Sequence, residues 1–367
     1  MRNFLKTYEI TLTAKGPVFI GSGKEFDKKE YILVAGNEVW IMDINKLYPY
    51  LRRKGLSRQF EEYILYDRRI PLKQWLQKNR IYVNEIKNCV KYSVQYGKLS
   101  VERGKRLQIQ EFVKDAYGKP YVPGSSLKGM IRTILLASDI VENQRKYSLE
   151  KQKLKHNSNN YDRRNRYLLK NIKEIEASYF NTMGRNPKRR ADAVNDRMSG
   201  MIISDSAPLT VGDLALCQRV ERKTDGREKT LNVLRECIKP GSKMIFQMTI
   251  DESLCKISKE KIEHAVQIFS EMYNTCFVSK YKGIDRLMDH NVYLGGGVGF
   301  LSKTIIYPMF GEKEGLKITP VIFDKTGVPK NHKHNQDERI GVSPHIIKCG
   351  EYNGQSLQMG LCEMKIS

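Results

Sequence analysis

The sequence predicts an α+β protein built from two ferredoxin-like domains with helical, basic insertions. Three observations carry that prediction. The order strand, hairpin, helix, strand occurs twice along the chain, as a repeated βαββαβ sheet requires. Strand-like stretches alternate apolar and polar residues, whereas the best helical stretches each keep one apolar stripe. At 367 residues the chain exceeds one ordinary core, so two domains are expected, 1–198 with the insertions and 199–367 with a glycine-rich loop.

Residues 4–14 read as a first strand, which Gly16-Pro17 ends. Val18-Phe19-Ile20 leads into Gly21-Ser22-Gly23-Lys24, expected as a flexible loop with free amides. Residues 31–35 and 38–42 flank Gly36-Asn37, a hairpin signal. From Ile44 to about Leu76 the pattern is helical, with a basic run at Arg52-Arg53-Lys54. Residues 81–113 are mixed, and Gly118-Lys119-Pro120 turns the chain into another strand.

Val122-Pro123-Gly124 stops that strand, and Ser125 or Ser126 is expected to cap a helix. Leu127, Met130, Ile131, Ile134 and Leu135 form its buried stripe. Lys128 and Arg132, four apart, share the opposite edge beside Gly129, so their removal is expected to open no cavity. A helix N-terminus with unpaired amides, two hydroxyls and two cations suits a phosphodiester. The same pattern also describes an ordinary capped amphipathic helix.

Residues 140–197 are polar and strongly basic, with Lys151 to Lys155, Arg163-Arg164-Asn165-Arg166 and Lys188-Arg189-Arg190. Tyr147, Tyr161, Tyr167 and Tyr179 are interleaved, a combination suited to RNA backbone contact and base stacking, or to a solvated helical insertion. Parts of it are expected to lack order without a partner. Met201 to Ser206 restarts β structure, and 215–221 and 244–250 read as strands around a charged stretch. Ser258 caps a helix whose stripe runs from Ile262 to Phe277.

Gly295, Gly296, Gly297 and Gly299 follow, with Ser302 and Lys303 close behind. Such a run lets backbone pass close to a ligand or to another strand. It is neither a P-loop, since Ser302 precedes Lys303, nor a dinucleotide fingerprint, since Phe300 stands where a glycine is needed. The tail from 311 to 367 is punctuated by Gly and Pro and carries His332, His334 and His345.

The net charge of +23 calls for a polyanionic partner, nucleic acid first. No run of about 18 apolar residues spans a bilayer, and residues 1–9 lack a signal-peptide core. Seven dispersed cysteines without a C-x-x-C suit a reducing cytoplasm.

Taken together, Gly16-Pro17-Val18-Phe19-Ile20-Gly21-Ser22-Gly23, residues 121–132 and the glycine run resemble the RAMP superfamily of CRISPR-associated proteins. Within it the chain is similar to the branch that supplies the fifth subunit of type III-A Csm effectors. Ile203-Ser204-Asp205-Ser206, residues 235–241 and Val342-Ser343-Pro344-His345 add to a resemblance that spans nearly the whole chain. It implies two RRM-like domains and a non-catalytic, cytoplasmic, crRNA-binding subunit that supports crRNA maturation. Such a subunit caps the crRNA 3′-end region beside the repeated RAMP backbone subunit and the small helical subunit, with target RNA as a further partner. The residues expected to face RNA are Gly21, Ser22, Gly23, Lys24, Ser125, Ser126, Lys128, Arg132, Gly295, Gly296, Gly297, Gly299, Ser302 and Lys303.

Chemistry of its own is weakly supplied. RAMP endoribonucleases commonly use an N-terminal-domain histidine, and the first here is His156, inside the basic insertion. Asp27, followed by Lys28-Lys29, sits in a loop comparable to the one in which backbone RAMP subunits carry a catalytic aspartate; an exposed loop aspartate is more often a turn residue, and the alternative is a metal-dependent endoribonuclease cutting through Asp27. Stretches 16–24, 123–132 and 293–304 contain no carboxylate and are equipped to hold a backbone rather than polarise it. His332, His334, Asp337 and His345 match no metal-ligand spacing of defined geometry, and no metal or cofactor is expected.

Overall fold

A computed structural model of the chain describes residues 4–67, 69–100, 107–160 and 167–367; Tyr161 and the Arg163–Arg166 run lie outside the described residues. β1 (Leu5–Ala14) buries Ile10, Leu12 and Ala14 by strict alternation. Gly21 to Lys24 do not form a loop but open β2 (Gly21–Phe26), whose register shifts between Gly21 and Glu25 around Gly23 at φ 88°. Buried Phe26 anchors the strand while its first four residues stay exposed. β3 (Tyr31–Val34) and β4 (Glu38–Met42) form the expected hairpin, with Gly36 and Asn37 both at positive φ. The helical stretch divides into α1 (Ile44–Arg53), α2 (Ser57–Tyr66) and α3 (Leu72–Lys78), which enclose a satellite core around Leu51, Phe60, Tyr63 and Trp75.

β5 (Val90–Tyr96) and β6 (Gln108–Phe112) precede α4 (Gly124–Glu142), and the basic insertion folds into α5 (Ser148–Ser158) and α6 (Leu169–Phe180). The rest comprises β7 (Met201–Ile203), β8 (Leu214–Lys223), β9 (Glu228–Ile238), β10 (Lys243–Asp251), α7 (Lys259–Cys276), β11 (Asn291–Tyr293), α8 (Ile306–Lys325), β12 (Ile346–Tyr352), β13 (Gln355–Gln358) and β14 (Leu361–Ile366). Helix α8 is not evident from the amino-acid pattern because Gly311, at φ 68°, and Pro320 interrupt it.

The strands form two curled sheets, the α+β layout of paired ferredoxin-like domains. The smaller has order β11-β14-β1-β10-β7, with every neighbouring pair antiparallel. Following β1, α4, β7, β10, α7 and β14 traces one βαββαβ unit with strand order 4-1-3-2. The larger has order β2-β6-β9-β8-β5-β4-β3, with β12 added on β8 and β13 on β12. Both sheets draw strands from either side of residue 198, so a boundary there does not separate the two sheets.

The cap of α4 corrects the expectation placed on its serines. Pro123 is the N-cap residue, and Ser125 and Ser126 lie within the first turn without capping it. The Gly124 amide instead donates to Asp205 Oδ1 at 2.8 Å. Ser206 secures the same junction, its hydroxyl accepting from the Val122 amide at 2.9 Å and its own amide donating to Val122 O at 2.9 Å. The Ile203-Ser204-Asp205-Ser206 motif is thus the missing cap, supplied from about 80 residues away.

Replacing Asp205 with Ala is expected to destabilise the protein by about 1 kcal/mol, the usual effect of losing a carboxylate cap. Ser125→Ala and Ser126→Ala are expected to change stability by no more than about 0.5 kcal/mol. Urea unfolding midpoints of the three variants check this ranking.

Candidate nucleic-acid interface

Residues 16–20 run between the two sheets and are stitched to both. Val18 exchanges backbone hydrogen bonds with Ile238 at the end of β9, at 3.2 and 2.8 Å. On the other side Gly16 N donates to Leu361 O at 3.0 Å, and Gly360 N donates to Pro17 O at 2.8 Å. The glycine run closes on the same segment, with Gly296 N donating to Phe19 O at 2.7 Å. Gly295 (φ 90°) must be glycine, since a Cβ there would lie 2.3 Å from Phe19 O. Gly297 (φ 83°) leaves room for a guanidinium: its Cβ would lie 2.3 Å from Arg235 Nη1. The close approach predicted for this run is therefore made first to the chain itself.

Arg235 lies over the Phe19 ring, 5.0 Å from its centroid, and its Nε donates to Gln110 Oε1 at 2.8 Å. Around it gather Arg219, Lys303 and Lys348. Burial and the neighbouring Arg219 push the Arg235 guanidinium below its ordinary pKa. Burial and Arg235 lower Lys303, and burial together with Arg219, Arg235 and Lys303 lowers Lys348. Glu221, 2.8 Å from Arg219, is the carboxylate ion-paired within this group. Neither the Lys303 nor the Lys348 ammonium has a hydrogen bond or an ion pair among the described residues. Like charges held together and partly out of water oppose folding.

Lys303 also lines a cavity of about 200 Å³ with Arg132, Phe180 and Phe300, which brings the α4 face and the glycine run to one place. The two α4 cations are not the free edge the spacing indicated. Lys128 Nζ donates to Met201 O at 2.7 Å, and burial lowers its pKa. Arg132 pairs with Asp196 at 2.5 Å and stacks 3.8 Å from the Phe180 ring centroid. Arg197, which sequence reasoning passed over, lies 4.2 Å from the Tyr179 ring centroid, with Nε and Nη2 unbonded. Ser125 and Gly129 are exposed and Ser126 half-buried beside these cations.

Elsewhere the expected contacts are used internally. Ser302 is buried, and its hydroxyl closes its own turn on Val298 O at 3.4 Å. Gly299 stands at φ 99°. Exposed Ser22 donates to Glu111 Oε2 at 3.0 Å, and Lys24 pairs with Glu30 at 2.9 Å. Tyr147 and Tyr179 are buried rather than offered for stacking, and Lys151 and Lys155 pair with Glu314 on α8 at 2.9 and 2.8 Å. In the described part of the insertion Tyr147, Tyr179 and Phe180 are buried, and the two lysine pairs tie α5 to α8. Lys188, Arg189 and Arg190 remain exposed.

Asp27 is a turn residue. Its Oδ1 accepts from Lys29 N at 3.0 Å, and its carbonyl accepts from Glu30 N at 2.8 Å. The Lys29 ammonium is bound to Tyr63 O and Ile64 O at 2.9 and 2.8 Å, so it is not poised over a reacting oxygen. A different group does converge. His334 Nδ1 lies 2.9 Å from Asp337 Oδ2, His345 Nδ1 contacts Asp337 Oδ1, and Ser343 Oγ donates to Oδ2 at 2.5 Å. Burial raises the Asp337 pKa, yet hydrogen bonds from His334, His345 and Ser343 hold it below the ordinary carboxylate value.

The RAMP superfamily model matches residues 11–302. Over its whole length the chain is 29% identical to a protein named CRISPR system Cms protein Csm5 from Mycobacterium tuberculosis, covering 99% of that protein. A Csm5 of Streptococcus thermophilus is 27% identical over 83% of this chain and 82% of its own length. A chain of the Csm–crRNA–target RNA ternary complex of a type III-A system superposes with a TM-score of 0.65, at 20% identity, covering 98% of this chain and all of the other. Csm5 of T. onnurineus superposes with a TM-score of 0.58, at 17% identity, over 96% of this chain and 99% of its own.

Two substitutions separate structural from unpaired cations. Arg132→Ala removes an ion pair and a stacking partner and is expected to destabilise by about 1–2 kcal/mol. Lys348→Met removes a half-buried cation without a partner and is expected to leave the unfolding midpoint unchanged or higher. The pH dependence has a definite sign. With its folded pKa depressed, Lys348 makes the wild type gain stability as pH rises towards the ordinary lysine value of 10.5, a gain smaller in Lys348→Met. Unfolding midpoints measured from neutral to alkaline pH check both statements.

Proposed function

The chain belongs to the RAMP superfamily, and from that premise we propose that it is a non-catalytic, crRNA-binding structural subunit of a type III-A CRISPR Csm complex. The observation that carries the reading is the cluster of Arg219, Arg235, Lys303 and Lys348 beside the glycine run, with two ammonium groups left without a partner. Full-length similarity to Csm5 proteins and the fold shared with a chain of a Csm–crRNA–target RNA complex support it.

The subunit caps the crRNA 3′-end region, beside the repeated RAMP backbone subunit and the small helical subunit, and lies within reach of target RNA. It supports crRNA maturation by holding the guide. Lysine and arginine contacts to phosphate carry no base information, so any spacer is accepted. Its seven cysteines are free and buried, which suits the reducing cytoplasm, and no described helix is long and apolar enough to cross a membrane. The structural role is preferred to the Asp27 nuclease because that carboxylate and its lysine neighbour Lys29 are engaged in turn and helix-end bonds.

Counterion release from four phosphate contacts gives a log–log salt slope of about −3 for single-stranded RNA. Equilibrium binding of unrelated spacers across a salt series is expected to give that slope with near-equal affinities. Lys303→Ala with Lys348→Ala is expected to flatten it by about 1.4. A flat wild-type profile, or strong preference for one spacer, contradicts the reading. The catalytic question is settled by incubating wild-type and Asp27→Ala protein with labelled crRNA precursor and target RNA, with and without magnesium. No cleavage is expected from either; wild-type cleavage lost in the variant would establish the nuclease instead.

A further inference from the structure

We propose that His334, Asp337 and His345 form a zinc site that clips the C-terminal segment in place, apart from the nucleic-acid interface. One ligand atom from each residue lies within 4.8 Å of those from the other two. Asp337 is wholly buried, His345 is 9% exposed, and the His334 side chain is 12% exposed, so the group is not a chance meeting of surface side chains. Two borderline imidazole nitrogens with one carboxylate form a donor set that suits zinc; magnesium and calcium take oxygen ligands almost throughout.

The local chain builds this arrangement. Asp337 starts a single helical turn, and its carbonyl accepts from Gly341 N at 2.8 Å, reversing the chain so that His345 returns to His334. Phe323 packs against the His334 ring with centroids 4.5 Å apart, and Tyr307 OH holds Ser343 O at 2.6 Å. These contacts fix the ligands before any ion arrives. The fourth position falls to water or to His332, whose ring centroid is 5.9 Å from that of His334. His345 immediately precedes β12, the strand that carries Lys348, so the clip sets the entry of that strand.

The competing account is a metal-free Asp–His hydrogen-bonded cluster. Untagged full-length protein is stripped with a chelator, desalted, and titrated with Zn²⁺ and with Co²⁺. The expected result is one equivalent of zinc per chain, a visible absorption of tetrahedral cobalt that zinc abolishes, and a thermal midpoint that rises with zinc concentration. Asp337→Asn and His345→Ala are expected to weaken zinc binding at least about tenfold. Less than a tenth of an equivalent bound, an octahedral cobalt spectrum, or unchanged binding by a folded His345→Ala protein would overturn the site. The cobalt spectrum of the wild type decides the matter even where the variants do not fold.

Discussion

The backbone of residues 16–20 is hydrogen-bonded to β9 on one side and to the glycine run and the start of β14 on the other. The glycine run and Arg235 take their positions from that seam. Val18 is fully buried between the sheets, and Phe19 offers its carbonyl to Gly296 and its ring to Arg235. Each backbone bond contributes only about 1 kcal/mol net. Their joint effect is geometric, because they bring the end of the larger sheet and the loop of the smaller one to a common place. A side chain at Gly295 would force the seam apart.

The cost of that geometry is carried by charge. Arg219, Arg235, Lys303 and Lys348 come from β8, β9, the turn before α8, and β12, so no single segment is unusually basic there. They meet because the fold holds them, and desolvation together with mutual repulsion lowers the pKa values of Arg235, Lys303 and Lys348. Folded proteins tolerate such unpaired charge where a ligand supplies the counter-charge. By contrast, Lys128, Arg132, Lys151 and Lys155 have partners within the chain and belong to its architecture.

Much of the fold was legible in the sequence, and the reasons for the misses are physical. Period-two alternation located β1, the Gly36-Asn37 turn signal located the hairpin, and the apolar stripes located α4 and α7, because those patterns are local. The glycine run was recognisable as a close approach, but its partner, Phe19, lies far away in sequence. The α4 cap was assigned to Ser125 or Ser126 because nothing local reveals that Asp205 reaches Gly124. Gly21 to Lys24 looked like a loop since glycine weakens any strand signal; Gly21, Glu25 and Phe26 pair with β6, and Ser22 to Lys24 form the irregularity between them. Arg235 and Lys348 were missed as site residues because each stands singly in a strand. Only the sheet order sets them side by side.

The central claim is that guide RNA lies on this cation cluster rather than on the basic insertion. Photo-crosslinking of 4-thiouridine-substituted crRNA in the assembled complex, with peptides identified by mass spectrometry, tests it most directly. The account predicts crosslinks within 293–304 and within the β9 and β12 peptides that carry Arg235 and Lys348. Crosslinks confined to α5, α6 and the 185–190 stretch, with none at the glycine run, would contradict it.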